Sequence, residues 1–283
     1  MKAFEVLATG VDATIQDRGR TGWRRFGIPP SGVMDRHAAD WANLLLDNPA
    51  NAPVLELLYG GAEFRALSDG WMAVTGADQS SNVPLWRATR VVTGQRISFR
   101  AHRSGMWTYI AVEGGFEAER YFGSASVYHR GGIGARLSAG DVLHRGPAHF
   151  QLPAGVSGRM APPGEQRHYD SPPALRVWQG PQWELFDEAS RAAFFGTAWT
   201  ISSQSDRIGY RLTGVAIEAP LRLLSEPVIV GSIQVPENGQ PIVTMRDGPT
   251  VGGYPKIGLV HADDLGWLCQ CAPGQKVRFS EAS

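Results

Sequence analysis

The chain has 283 residues, 43% hydrophobic and 19% charged, which excludes a disordered tail protein and allows one large domain or two ordinary ones. Lys and Arg total 27, as do Asp and Glu, so nothing builds the positive field that nucleic acid or an anionic membrane would need. The 34 Gly and 19 Pro imply many turns and therefore short strands.

From the N-terminus, Glu5 stands where a signal peptide would place its apolar core, and no apolar run is long enough for a membrane span. A reduced cytoplasm is the expected location, because two cysteines, Cys269 and Cys271, make no disulfide framework. Period-2 patterns predict strands at residues 4–8, 54–59, 71–75, 96–100, 106–112 and 175–178. The series continues at residues 200–202, 228–230, 242–245, 257–261 and 276–279. Two segments read as helices. One is Met34 to Leu46, capped by Ser31 or Asp35 and stopped at Asn48-Pro49; the other is Trp183 to Phe195. The stretch Pro153 to Pro173 is rich in Pro and Gly and poor in apolar periodicity, so it reads as a linker between domains at 1–165 and 170–283. Gly94-Gln95-Arg96-Ile97-Ser98-Phe99 is echoed by Gly274-Gln275-Lys276-Val277-Arg278-Phe279, as two similar β-barrels in tandem would require.

Three clusters carry more polar chemistry than turns need. Thr14 to Arg20, followed by Pro30-Ser31-Gly32-Val33-Met34-Asp35, runs into a helix start with Arg20, Arg24 and Arg25 available for an anion; a plain loop with solvated arginines is the alternative. In Ser205 to Leu212, strand alternation puts Arg207 and Arg211 on one face, either as a carboxylate clamp or as an exposed face with cross-strand ion pairs. The third cluster begins with Gly231-Ser232-Ile233-Gln234-Val235-Pro236 and Asn238-Gly239, a type I′ hairpin signal. It ends in Asp247-Gly248-Pro249-Thr250-Val251-Gly252-Gly253-Tyr254-Pro255-Lys256. Arginine outnumbers lysine 24 to 3, so retention of Lys256 beside paired glycines suggests a site needing a compact cation, against the alternative of a Gly-rich bulge. No HxxxH or HxH metal spacing, Walker A sequence or GxSxG elbow occurs, and Gly131-Gly132-Ile133-Gly134 lacks the spacing of a nucleotide loop. Cys269 and Cys271, read as strand residues, suit core packing. Folding is expected to need no metal or disulfide.

In this order, residues 13–20 with 30–35, Gly180-Pro181-Gln182, residues 205–212, 231–236 and Gly252-Gly253-Tyr254-Pro255-Lys256 resemble the KipA family. That family is also called allophanate hydrolase subunit 2, biotin-dependent carboxyltransferase subdomains A and B, or the C subunit of 5-oxoprolinase. The resemblance implies an all-β chain of two tandem cyclophilin-like β-barrel domains with a few short helices. It implies two partners, a KipI-like protein (the B subunit of 5-oxoprolinase) and a LamB/YcsF-like one (its A subunit). Together the three convert 5-oxo-L-proline to L-glutamate with ATP. The alternatives are a subunit of a biotin-dependent carboxyltransferase acting on urea or an amide, and a non-catalytic antagonist of a KipI-like kinase inhibitor. No cofactor is expected on this chain. The complex would use ATP, and carboxybiotin would arrive on another chain. The expected catalytic residues are Lys256, Asp247 and Tyr254. The expected substrate contacts are Arg207, Arg211, Gln234, Thr250, Gly252, Gly253, Ser31 and Asp35. The family pattern is broken at Val251, where a second Thr is usual, at Arg246, and in Gly123-Ser124-Ala125-Ser126-Val127.

Overall fold

The computed structural model describes residues 1–148, 158–220 and 224–282. The chain divides into two compact units, one of Met1–Thr21 with Ser31–His168, the other of Gly22–Pro30 with Tyr169–Ser283. The excursion of Gly22–Pro30 into the second unit has no composition signal. Within that unit, the Arg24 guanidinium donates to the Val228 carbonyl.

The first unit contains β1 (Lys2–Thr9), β2 (Asp12–Gln16), α1 (Arg36–Leu44), β3 (Val54–Leu58), β4 (Ala62–Ala66), β5 (Gly70–Asp78) and β6 (Arg87–Val91). It continues with β7 (Arg96–Phe99), β8 (Ser104–Val112), β9 (Phe116–Glu117) and β10 (Val142–Arg145). These form two antiparallel five-stranded sheets, ordered β7-β4-β1-β10-β9 and β2-β3-β8-β5-β6. Phe4, Phe64, Phe99, Leu55, Leu57, Met72 and Ile110 fill the core of this unit, each contributing about 1.5–3 kcal/mol of burial. The interior of β5 is buried on both faces. Met72 and Val74 join the core, and the Thr75 hydroxyl donates to the Ala38 carbonyl of α1 at 2.6 Å. The helix starts two residues later than Met34, because the Asp35 side chain caps it by accepting from Ala38 N–H. Ser31 makes no cap. Part of the expected linker packs on the first unit: Ala88 N–H donates to Arg159 and Ala161 N–H to Trp86. Residues 153–157 lie outside the described residues.

The second unit contains β11 (Leu175–Gln179), α2 (Glu188–Gly196), β12 (Trp199–Ile201), β13 (Gly209–Thr213), β14 (Glu226–Pro227) and β15 (Ser232–Gln234). It ends with β16 (Ile242–Thr244), β17 (Val251–Gly252), β18 (Lys256–Val260), α3 (Leu265–Gln270), β19 (Lys276–Val277) and β20 (Phe279–Glu281). Eight of these strands form one sheet, β19-β12-β13-β16-β15-β18-β11-β20, and β14 pairs with β17. Phe194 of α2 stacks on Phe279 with ring centroids 5.0 Å apart. The chain is all-β, with α1, α2 and α3 the α-helices among the described residues.

Several expectations are corrected. The helix expected from Trp183 to Phe195 is split: Trp183–Leu185 is a 3-10 turn, and Asp187 starts α2 by capping Ser190 N–H at 2.6 Å. Val228–Val230 is a loop, and the strand lies just before it as β14. The strand expected at 276–279 is two, β19 paired with β12 and β20 paired parallel with β11. Cys269 is helical, in α3, rather than in a strand. Asn238-Gly239 forms no type I′ turn. Only Gly239 of the two has positive φ, and its N–H closes a turn on the Pro236 carbonyl at 2.9 Å.

The six-residue echo is a true structural repeat. Gly94 N–H donates to Ala66 and Gly274 N–H to Ile201, both at 2.8 Å; Gln95 N–H donates to Val92 and Gln275 N–H to Ala272, both at 3.0 Å. Each glutamine side chain accepts from the first residue of its own turn, Val92 or Ala272. Both glycines have φ +86°. The turn feeds β7 onto β4 in one unit and β19 onto β12 in the other.

Candidate functional site

The residues with most chemistry in the second unit gather where β15, β18 and the β14·β17 ribbon meet. Gln234 and Lys256 are cross-strand partners on β15 and β18, so their side chains are neighbours. Glu226 and Gly252 are partners across the ribbon. The Lys256 ammonium, with its side chain only 5% exposed, pairs with Glu226 Oε1. Gln182, just before the 3-10 turn, binds both: its Nε2 donates to Glu226 Oε1 at 2.8 Å and its Oε1 accepts Lys256 N–H at 3.0 Å. The hydrogen bond from Lys256 chiefly, against a smaller opposing effect of burial, holds the Glu226 carboxyl below its ordinary range.

Gln234 is anchored by Nε2 donating to Thr244 Oγ1 at 3.0 Å. Its Oε1 accepts no hydrogen bond among the described residues, and it lies 2.8 Å from where a Cβ on Gly252 would stand. Any larger residue at 252 would therefore push the acceptor aside, the physical reason for glycine there. Gly253 is buried, while Tyr254 is 36% exposed. The Thr250 carbonyl accepts Val228 N–H at 3.0 Å, holding the ribbon.

Asp247 and Arg207 form a side-on pair, Arg207 Nε to Oδ2 at 2.7 Å and Nη2 to Oδ1 at 3.4 Å, and Asp247 N–H donates to the Arg207 carbonyl at 2.8 Å. Arg207 precedes β13 rather than lying in it, so the alternation expected to align it with Arg211 fails. Arg211 is on β13 and exposed. Asp206 instead folds a turn here, accepting from Ile208 N–H and Gly209 N–H. The structure thus groups Lys256, Gln234 and Gly252 directly and ties Asp247 to Arg207. Glu226 and Gln182 complete the group but were absent from the expected residues. Gln182 had a signal in Gly180-Pro181-Gln182. Glu226 had none.

Ser31 and Asp35 belong to the first unit. Ser31 is buried with φ +53°. Asp35 caps α1, and its N–H donates to the Tyr109 hydroxyl at 2.7 Å. In the Thr14–Arg20 cluster the Asp17 carboxylate is filled by its own chain, while Gln16 Oε1, and Ser31 Oγ beyond the cluster, are buried without a hydrogen-bond partner among the described residues. Asp17 Oδ1 accepts from Gly19 N–H, Ser124 Oγ and Ser126 Oγ at 2.9, 2.5 and 2.6 Å. Its Oδ2 accepts from Ala125 N–H at 2.8 Å and Arg120 at 3.3 Å. Arg20 is buried, with its guanidinium on the Ser126 carbonyl, so it does not stand in solvent. Two open grooves of about 470 and 560 Å³ in this unit, one beside Phe116 and Arg120, the other beside Arg100 and Arg103, include none of the expected site residues.

Among the described residues no three His, Cys, Asp or Glu side chains are grouped to hold a metal. The Gly131–Gly134 stretch turns its amides inward, Gly131 and Ile133 N–H both donating to the Tyr128 carbonyl at 3.1 Å, and so makes no phosphate cradle. No described helix is long and apolar enough to cross a membrane.

Residues 26–281 match the family model described as carboxyltransferase domain, subdomain A and B. The chain belongs to this carboxyltransferase family. Within the family it is 38% identical to the C subunit of 5-oxoprolinase from Escherichia coli, over 99% of this chain and 91% of that one. A solved structure of TTHA0988 superposes with a TM-score of 0.89 at 33% identity, covering 99% of this chain. The chain spans only 55% of that protein's length. The solved Kluyveromyces lactis urea carboxylase superposes with a TM-score of 0.88 at 27% identity, covering 100% of this chain and 28% of that one. The carboxyltransferase fold is therefore shared by chains named for a cyclic amide and for urea.

Proposed function

We propose that the chain is the C subunit of an ATP-hydrolysing 5-oxoprolinase, working with KipI-like B and LamB/YcsF-like A subunits to open 5-oxo-L-proline to L-glutamate. The observation that carries this reading is the buried Lys256 ammonium beside the unoccupied Gln234 acceptor, in a chain 38% identical to a 5-oxoprolinase C subunit. A lactam offers a carbonyl oxygen and an N–H on adjacent atoms. Lys256 Nζ donates to the carbonyl and stabilises the charge that develops on its oxygen as the ring is attacked. Gln234 Oε1 takes the N–H. Gly252 lets Gln234 Oε1 keep this position, which a side chain at 252 would take from it. Thr250 and the Asp247–Arg207 pair hold the loop that carries the exposed Tyr254, and the role of handling a proton is assigned to that residue. Arg211, exposed on β13, remains assigned to a contact with substrate.

Gly131–Gly134 offers no phosphate cradle, and on this reading ATP chemistry falls to the other subunits. Urea carboxylation is the second reading, favoured by the urea carboxylase fold match. Urea and the ureido ring of biotin carry the same carbonyl and N–H pair, which the Lys256–Gln234 arrangement fits, with carboxybiotin supplied by another chain.

The test is ATP-dependent glutamate release from 5-oxoproline, assayed with this chain alone and with its A and B subunits. Activity only in the assembled complex is expected. Full activity from the isolated chain, or none from the complex, would overturn the reading.

A further inference from the structure

We propose that Glu226 is a specificity-determining residue that makes the Lys256 end of the site accept a neutral amide and refuse a carboxylate. This rests on the reading of Lys256 as the group that meets an amide carbonyl, and it assigns the substrate's own carboxylate to a place away from Lys256.

A buried ammonium standing alone would draw any small anion. Here Glu226 already neutralises it, and Gln182 locks the two together by binding the Glu226 carboxylate and the Lys256 backbone at once. Glu226 is not sealed off. Its side chain is 35% exposed, and Oε2 accepts no hydrogen bond among the described residues. A ligand at Lys256 therefore meets one donor and two acceptors: the Nζ protons not given to Glu226, Glu226 Oε2, and Gln234 Oε1. A carboxylate carries acceptors only. It would face two oxygens without a proton to offer and a like charge on Glu226, in surroundings where Lys256 is shielded from water. An amide matches the set, with C=O for Nζ and N–H for either oxygen. The Asp247 carboxylate does not disturb this balance, since Arg207 holds it in a side-on pair.

The inference is tested by calorimetric titration of the folded chain with 2-pyrrolidinone, urea and acetate. The wild type is expected to bind 2-pyrrolidinone or urea at least about tenfold more tightly than acetate; a preference for the lactam points to cyclic amides and one for urea to open ones, and both support the proposal. Glu226→Gln should tighten acetate binding at least about tenfold and lose the preference. Glu226→Asp should restore the wild-type order, and Lys256→Met should remove binding of amide and acetate alike. A merely structural Glu226 would weaken all ligands together and lower the melting temperature. Acetate binding as tightly as the amides in the wild type, an unchanged acetate affinity in Glu226→Gln, or no amide binding at all would overturn the proposal. The outcome is separable from the enzyme assay. Amide preference without 5-oxoproline turnover would sink the 5-oxoprolinase reading alone, and turnover without the preference would sink this inference alone.

Discussion

Asp17 in the first unit and Lys256 in the second are both buried charges, and they are used in opposite ways. Asp17 receives five donors from the chain itself, on both oxygens. Lys256 has one charged partner, and around it Glu226 Oε2 and Gln234 Oε1 accept nothing from the described residues. A buried polar group whose bonding capacity is filled by its own chain holds structure together. One set beside unused donors and acceptors is prepared for something from outside. By that criterion the Asp17 carboxylate is a clasp fastening the segment after β2 to Ser124–Ser126, and the Lys256 group is the site we propose.

The largest stability effect should come from opening the clasp. Asp17→Ala strands two hydroxyls and two backbone N–H groups in the interior, so a loss of about 3 kcal/mol and a fall in melting temperature of roughly 6–12 °C are expected. A shift under about 2 °C by calorimetry would mean that the clasp carries no weight. Next is Asp264, which ties α3 to β11 by accepting from Arg176 N–H, Nε and Nη2 at 2.7, 2.9 and 2.7 Å. Burial alone would raise its pKa, but the Arg176 hydrogen bonds and charge together outweigh burial and lower it from its ordinary 3.8. With the folded value depressed, the stabilisation is present in full above the ordinary value and is lost as pH falls through the folded value. Asp264→Asn should cost about 1–2 kcal/mol at neutral pH, discounted for the half-exposed Arg176, and should flatten the acid limb of stability measured by urea melts from pH 7 to 3. An unchanged acid limb would contradict the assignment.

Smaller effects sharpen the likeness of the two units. Gly94 and Gly274 share φ +86°, and nothing stands within 4 Å of a Cβ at either position. Gly94→Ala and Gly274→Ala should therefore each cost about 1–2 kcal/mol from backbone strain alone, and equally. A large inequality would show that the repeated turns are not equivalent. The smallest effect concerns the thiols. Cys269 and Cys271 are buried, and burial pushes the Cys271 thiol up to about 12. Neither should react with a thiol reagent at pH 8 until the chain is unfolded; rapid native labelling would contradict their burial.

Much of the scaffold was legible because its signals are local. Period-2 apolar alternation located most strands, Asp35 caps α1, and the paired Gly-Gln turns announced a tandem repeat. The polar networks were not legible, because their partners are remote. Asp17 meets Ser124 across 107 residues, and Lys256 meets Gln182 and Glu226 across 74 and 30. The scarcity of lysine pointed to Lys256, whereas Glu226 sits in an ordinary Ser-Glu-Pro stretch. Helix α3 has six residues and no side-chain cap, so Cys269 and Cys271 read as a strand. Arg207 was assigned to a strand face because alternation continues past the point where Asp206 folds the chain into a turn.

The central claim is that the Lys256 group is where the chain meets its substrate. The most direct test is the turnover of the complex assembled with Lys256→Ala, measured as ATP-dependent glutamate release from 5-oxoproline beside its melting temperature and the stoichiometry of its chains. A fall of at least about tenfold, equivalent to roughly 1.4 kcal/mol in the barrier, is predicted, with assembly and melting temperature nearly unchanged. Wild-type turnover in a properly assembled Lys256→Ala complex would contradict it.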